Sequence, residues 1–333
     1  MTGPFAQRPA IDGEPSTRPA TAAVKTAVLI PCFNEAITVG NVVRSFRRAL
    51  PNAEVHVYDN NSTDDTAEIA RAAGASVTVE KRQGKGWVLA AMFRDIYADI
   101  YVLVDGDDTY PAESVHALIE PIDRGVADMV VANRLVQYEK GAYRRLHVLG
   151  NRLVAKSINL IFGSHLHDVM SGYRCFSRTV VESIPIVSRG FEVETELTVQ
   201  SLYRGLIISE VPVAYGQRPE GSQSKLSTFR DGARVLLKIV DLFKAYRPLL
   251  FFGVLAILTG IVGLVLGAVP TIEFLQTGRV LRFPTAILAA ALEIVALVFL
   301  TCGLILDSIK HHFRELSQIL YQTRRPDDRR TRG

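Results

Sequence analysis

Two runs near the C-terminus constrain this chain before anything else is read. Residues 249–269 are almost wholly apolar and end at Pro270, and residues 284–306 form a second run broken only by Glu293. Each has about 20 apolar residues, enough to cross ~30 Å of hydrocarbon as a helix. A buried core helix of a soluble protein is the competing reading. Two such runs, split by a short connection carrying Arg279 and Arg282, argue instead for a transmembrane hairpin with spans near 249–270 and 284–306. A carboxyl deep in a span is costly, so Glu293 is expected to face another helix or to be protonated. A subunit interface is the hypothesis there, which leaves a homo-oligomer through the spans open.

Charge around the hairpin gives an orientation. Arg230, Arg234, Lys238, Lys244 and Arg247 precede the first span, and a basic tail, residues 307–333, follows the second. The positive-inside rule then places both flanks, both termini and the N-terminal domain in the cytosol. Residues 1–25 hold no apolar core of signal-peptide length and read as a disordered tail. The net charge of +4 is too weak to argue for nucleic acid. Three widely spaced cysteines, Cys32, Cys175 and Cys302, form no metal or disulfide pattern and fit a reducing compartment.

Two stretches look interfacial. In residues 224–248, read as a juxtamembrane amphipathic helix, Val235, Ile239, Leu242, Phe243 and Tyr246 share one face, opposite Arg230, Arg234, Lys238 and Asp241. Residues 143–163 place Arg145, Arg152 and Lys156 on one stripe of a largely apolar helix, suited to lipid phosphates.

From Thr26 the pattern alternates. "TAVLIP", "AEVHVYD", "ASVTVE", "DIYVLVD" and "ADMVVAN" are short β-type runs separated by helical stretches, the first spaced through Val39, Val42, Val43, Phe46 and Leu50. Nearly continuous Val/Ile/Leu strands alternating with helices predict an α/β domain, residues 26–223, with a mostly parallel, Rossmann-like sheet covered on both faces. Ligands of such sheets bind beyond the carboxyl ends of the strands. Three polar clusters fall there: "PCFNE", "DNNSTDDT" and "DGDDTYP". In the last, Asp105 and Asp107 can turn both carboxylates to one hard cation, Mg²⁺ or Mn²⁺. No dinucleotide or P-loop glycine pattern occurs, and "RQGKGWVLA" offers only backbone N–H groups and one cation, Lys85, to a phosphate.

The order "IPCFNE", "YDNNSTDDT", "GKGWVLA", "VDGDDTYP" resembles the family 2 glycosyltransferases of GT-A fold. "DVMSGYRCFSR", "FEVETEL" and "RPEGSQSKLS", with a membrane hairpin after them, resemble the branch of dolichol-phosphate mannose synthase and bacterial polyprenyl-phosphate glycosyltransferases. The resemblance implies transfer of a hexose-type sugar from a nucleotide diphosphate-sugar to a polyprenyl phosphate at the cytosolic membrane face. It implies that Pro31, Asn34, Glu35, Asp59, Asn61, Lys85 and Asp105 bind the donor, and that Asp105 and Asp107 hold the metal. Members of the mannose synthase group often carry Gln where this chain has Thr109, so the third ligand is Asp108 or Thr109. Asp168 matches a position near the acceptor and joins Asp105 and Asp107 as a catalytic candidate. Arg134, Arg144, Arg218 and Lys225 are the candidate cations for the acceptor phosphate.

The chemistry implied is metal-dependent and inverting. A nucleotide diphosphate leaves as an anion, and a divalent ion neutralises the developing charge. The nucleophile is a phosphate monoester, largely ionised at neutral pH, so no strong protein base is required. The "DGDDTY" form tilts the donor towards UDP over GDP. A transferase acting on another membrane lipid, and a non-catalytic nucleotide-sugar sensor, are the alternatives. Glu194 and Glu196 are read as helix starters, and His165 and His167 as loop residues.

Overall fold

The structure, a computed structural model, describes residues 24–135, 145–190, 192–219 and 240–324. The chain divides into two compact units, Met1–Gly232 and Ala233–Gly333.

The first unit is built on a seven-stranded sheet. Its strands are β1 (Thr26–Cys32), β2 (Glu54–Asp59), β3 (Ser76–Val79), β4 (Ile100–Leu103), β5 (Met129–Asn133), β6 (Arg174–Ser177) and β7 (Ile208–Pro212). They lie in the order β3-β2-β1-β4-β6-β5-β7. The β3, β2, β1 and β4 strands pair in parallel, β7 is parallel to β5, and β6 runs antiparallel to both β4 and β5. The five strands read from the apolar runs are all present. The sequence reading did not identify β6 or β7. Arg174 at the start of β6 breaks the apolar pattern, and β7 reads "ISEVP", with an acid in its centre.

Strand alternation sorts the core into two layers. Val28, Ile30 and Cys32 of β1, with Ile100 and Val102 of β4, face one side. They pack there against Val39, Val42, Val43 and Phe46 of α1 (Val39–Ala49) and Val115, Leu118 and Ile122 of α4 (Val115–Asp123). Ala27 and Leu29, with Tyr101 and Leu103, face the other side. Their partners are Val88, Leu89 and Met92 of α3 (Lys85–Asp95), Val180 of α6 (Arg178–Ser183) and Leu197 of α7 (Val193–Tyr203). Each residue of β4 and β5 is buried, as expected for strands covered on both faces. Helix α2 (Thr66–Ala72) joins β2 to β3, and α5 (Arg145–Phe162) lies between β5 and β6. The chain leaves β1 towards β2 on one side, while β4 lies on the other. The carboxyl ends of β1 and β4 therefore flank a topological switch point, where open α/β sheets place their ligands.

The second unit contains two helices, Pro248–Thr277 and Phe283–Arg324, long and apolar enough to cross a membrane. Only 11% and 17% of their most apolar windows are buried, which sets them apart from core helices of a soluble protein. Both outrun the predicted spans. The first continues past Pro270 to Thr277 and stops at Gly278, whose φ of +68° gives it a left-handed cap. The second extends past residue 306 as far as Arg324. Small residues set their antiparallel packing: a Cβ on Gly267 would lie 3.3 Å from the Ala289 Cβ, and one on Gly260 would lie 3.7 Å from the Ala296 Cβ. Glu293 faces a helix, and that helix is the chain's own, Pro248–Thr277. A Cβ on Gly263 would sit 2.6 Å from its Oε1. Residues 240–246 are helical, with Leu242 buried and Asp241 and Lys244 exposed. Val235, Ile239, Arg230, Arg234 and Lys238 of the predicted amphipathic face, and the tail before residue 24, lie outside the described residues.

Candidate active site

Three loops leave the carboxyl ends of β1, β2 and β4, and each holds one non-glycine residue in the left-handed region. These are Asn34 (φ 52°), Asn61 (φ 60°) and Asp108 (φ 59°). Asn and Asp tolerate this conformation best, yet it still costs energy, and such positions cluster at functional sites. The loops are tied together. Thr63 N donates to Asn34 Oδ1 at 2.8 Å, Glu35 N to Thr66 Oγ1 at 2.8 Å, and Thr38 Oγ1 to the Gly106 carbonyl at 2.6 Å. Asn60, which the sequence reading passed over, donates to the Arg82 carbonyl at 2.7 Å and accepts from Gly84 N at 2.7 Å. It thereby fixes the turn that opens α3. Asp59 is buried at the end of β2, where its carboxylate accepts from Ser62 N at 3.1 Å and from the Ser62 hydroxyl. Pro31 is half-buried at the end of β1 opposite Tyr58, and Asn34 and Asn61 are exposed.

The acids after β4 meet cations from elsewhere in the fold. The Lys85 ammonium, on the first residue of α3, donates to Asp105 Oδ1 at 2.6 Å and also to Glu194 Oε1 on α7. Arg218 Nη2 pairs with Asp107 Oδ2, and Thr109 Oγ1 donates to Asp107 Oδ1 at 2.6 Å. Gly172 presses its backbone on the same place: a Cβ there would lie 2.1 Å from Asp105 Oδ2. That contact explains the glycine of the "DVMSGYRCF" motif.

Burial pushes both carboxyls up, and their counter-charges separate them. At Asp105 the Lys85 ammonium more than offsets burial and holds the group below its ordinary value, with Arg134 and Arg218 adding to the pull. At Asp107 burial and the neighbouring Asp105 charge prevail over Arg218, and the group stays above its ordinary value. Lys85 is desolvated, yet its two carboxylate partners raise it and keep it charged.

The expected catalytic Asp168 has a different environment. It is fully buried, and Arg134 clasps it with Nε at 2.7 Å, Nη2 at 2.8 Å and its own backbone N at 3.1 Å, while Asn151 Nδ2 adds a fourth donor at 2.9 Å. A carboxylate has about four acceptor sites, and these donors fill them. Glu210 on β7 holds the segment from below, accepting from His167 N and Asp168 N at 2.8 Å each. Arg174 is wholly buried beside this cluster, donating to the Val169 carbonyl at 2.7 Å, the Ser171 carbonyl at 2.8 Å and Thr198 Oγ1 at 2.9 Å. Burial lowers it to about 10, so it remains charged at neutral pH.

The structure thus gathers Lys85, Asp105, Asp107, Thr109 and Arg218 at one place, with Arg134 close enough to act on Asp105. Asp108 turns away to accept from Asn41 Nδ2 at 2.7 Å, so of the two further ligand candidates it is Thr109 that touches Asp107. Arg144 and Lys225 lie outside the described residues. Among the described residues no third His, Cys, Asp or Glu joins Asp105 and Asp107 in a metal-binding group. Two carboxylates fit Mg²⁺ or Mn²⁺ only as ions that share their shell with substrate phosphate. Glu194 is the residue sequence reasoning undervalued. Glu196 lies in the first turn of α7 and accepts from Ser188 N of the preceding loop at 2.8 Å, but Glu194 is buried on Lys85. The available signal was an acid placed between Val193 and Leu197, both fully buried in the core.

The profile of Glycosyl transferase family 2 matches residues 27–184. The glycosyltransferase AglJ of Haloferax volcanii is 36% identical over 227 residues, covering 68% of this chain and 74% of that one. The chain belongs to glycosyl transferase family 2. A dolichyl-phosphate hexose transferase of the same organism is 31% identical over 216 residues, covering 64% of this chain and 92% of its relative. Among solved structures, the glucosyl-3-phosphoglycerate synthase of Mycobacterium tuberculosis, in complex with Mn²⁺ and uridine-diphosphate-glucose, superposes with a TM-score of 0.53. It is 26% identical, covering 66% of this chain and 78% of that one. The fold expected from the motifs is therefore the fold found.

Proposed function

We propose that this glycosyltransferase moves a hexose from a nucleotide diphosphate-sugar, UDP- or GDP-linked, to a polyprenyl phosphate, and that the transfer needs Mg²⁺ or Mn²⁺. The observation that carries the reading is the convergence of Asp105, Asp107, Lys85 and Arg218 at the switch point, in a chain that also has two membrane-length helices. The relative that acts on dolichyl phosphate supports the acceptor class, and the neighbour holding Mn²⁺ with UDP-glucose supports the donor and the metal.

Asp105 and Asp107 would hold the ion, which supplies positive charge to the leaving diphosphate. An acceptor phosphate oxygen attacks the anomeric carbon as the bond to the diphosphate breaks, and the nucleoside diphosphate leaves with the electron pair. One displacement of this kind inverts the anomeric centre. The acceptor arrives as an oxyanion, so the protein's task is to lessen repulsion between two anions. Fixed cations do this without reorganising. Arg218, Arg134 and, outside the described residues, Arg144 and Lys225 take that role. Asp168 acts through Arg134 as a positioning residue, because its acceptor sites are filled. Pro31, Asn34, Glu35, Asp59 and Asn61 frame the nucleotide.

On α5, Leu149, Leu153 and Leu160 are 53%, 41% and 71% exposed on the face that also carries exposed Arg152 and Lys156. Leucines interleaved with basic residues suit the headgroup layer of an anionic membrane, a further support for a lipid-borne acceptor. The basic flanks of the hairpin support cytosolic termini, with residues 278–282 on the far side.

The test is a donor screen with the purified chain, undecaprenyl phosphate, and UDP- and GDP-hexoses. A lipid-extractable sugar product that forms with Mg²⁺ or Mn²⁺ and disappears in excess chelator is expected. Full activity in chelator rejects the metal, and absence of any lipid product rejects the function. A single-cysteine probe at Gly278 should label from outside intact cells, and labelling near Arg325 instead would reverse the topology.

A further inference from the structure

Both carboxylates proposed to take the metal already have a positive partner from a distant part of the chain. Asp105 has Lys85, and Asp107 has Arg218. These partners come from α3 and from the segment after β7, not from the loop itself. Formally, the cluster Lys85, Arg218, Asp105, Asp107 and Glu194 sets two cations against three carboxylates. A divalent ion arriving alone meets little excess negative charge, and must separate two charge-assisted pairs in a site where Asp107 is only 3% exposed.

We infer that Lys85 and Arg218 are resident counter-ions of the metal loop, which pass from the carboxylates to substrate phosphate when a divalent ion takes Asp105 and Asp107. The inference rests on the proposed function and goes beyond it, by making metal and phosphate ligand bind synergistically.

Three features favour an exchange over a fixed lattice of charges. Lys85 carries a compact ammonium on a flexible stem, and Glu194 Oε1 binds it together with Asp105 Oδ1. When Asp105 turns to the metal, Glu194 keeps the ammonium in the site and limits it to a short swing. Glu194 itself is 4% exposed, and among the described residues its Oε2 has no hydrogen-bond partner, so the Lys85 ammonium on Oε1 carries much of the compensation for burying that carboxylate. Arg218 has a side chain 30% exposed, against 5% for its Asp107 partner. Its guanidinium stands on the open side of the pair, where a phosphate fork can be received. By contrast, the Arg134–Asp168 clasp, with side-chain exposures of 10% and 0%, includes the arginine's own backbone N–H and has no such freedom.

The experiment is Mn²⁺ binding to the full-length chain in detergent, by calorimetry and by electron paramagnetic resonance. Mn²⁺ is titrated alone, with saturating UDP or GDP (whichever binds more tightly), and with a short-chain prenyl phosphate. The wild type should bind Mn²⁺ more tightly with nucleotide than without, by a factor of about 5–150, the usual range for coupled sites. Lys85→Met and Arg218→Gln should each change the two affinities in opposite directions, tightening Mn²⁺ alone and weakening the Mn²⁺–phosphate ligand complex. For Arg218→Gln, the arm that weakens identifies whether the donor diphosphate or the lipid phosphate receives the guanidinium. Arg218→Lys, which keeps the charge, should restore most of the synergy and guards against a folding artefact. Parallel loss of both affinities, or no change in either, overturns the exchange while leaving the proposed function standing. Failure of the wild type to bind Mn²⁺ even with nucleotide overturns both.

Discussion

Two acid–cation groups sit at opposite halves of the same sheet end, and they are built differently. Beyond β4, Asp105 and Asp107 each meet the tip of a side chain from another element. Beyond β5, Asp168 is enclosed by one arginine through both its guanidinium and its backbone, with an asparagine completing the shell. Electrostatics follow the construction. Asp168 is held below its ordinary pKa despite burial, because Arg134 outweighs the desolvation, whereas Asp107 stays above its own. The first group keeps charges that can be rearranged, and the second holds its charges in one place. An acid in a motif is thus not assigned by its motif alone; what fills its acceptor sites decides.

Substitutions should separate the two groups. The largest effect is expected for Asp107→Ala, which should lower sugar transfer by about a hundred- to thousand-fold while the thermal transition of the protein persists. Near-normal turnover would remove Asp107 from the chemistry. Next comes Asp168→Ala, which leaves the Arg134 guanidinium buried without its anion and should cost about 3–5 kcal/mol of stability. Urea unfolding in detergent measures it, and a stability unchanged from wild type would show that the clasp is not structural.

A smaller effect is one of sign. Asp168, with a lowered pKa, contributes stability above the ordinary carboxyl value, near 3.9, and that contribution is lost as pH falls through its folded value. Asp107, with a raised pKa, has the opposite dependence: its contribution is present at acid pH and lost as pH rises through its folded value. At neutral pH, Asp168→Asn should therefore unfold more easily than wild type and Asp107→Asn less easily, the latter inactive all the same. Shifts of the same sign in both would erase the distinction. The smallest effect belongs to Glu210→Gln, which weakens charge-assisted bonds to His167 N and Asp168 N and should cost about 1 kcal/mol with little change in nucleotide affinity.

Much of the half built on β1 to β4 was legible in the sequence. Its strands are short apolar runs of four to seven residues, and its acids fall where those runs stop. The spacing of Val39, Val42, Val43 and Phe46 gave the buried face of α1 directly. The far half was less legible for identifiable reasons. A fully buried Arg174 hides β6, since partners such as Ser171, Thr198 and Val169, which no hydropathy pattern shows, make an arginine tolerable there. The Lys85–Glu194 pair joins residues 109 positions apart, and no local pattern announces such a contact. Asp168 was expected near the acceptor, but its contacts rest on four donors that spacing does not reveal. At the C-terminus, hydropathy marked the two long apolar helices, while the end of the first was set by the glycine cap at Gly278 and by helix continuing past Pro270.

The central claim is that the acceptor is an anion whose charge the site is built to receive. It is tested most directly by offering the purified protein undecaprenyl phosphate and undecaprenol side by side, each with the donor found in the screen and Mn²⁺. The account predicts a sugar-phosphate-lipid product from the first, and no detectable product from the second. Efficient transfer to the neutral alcohol would contradict it.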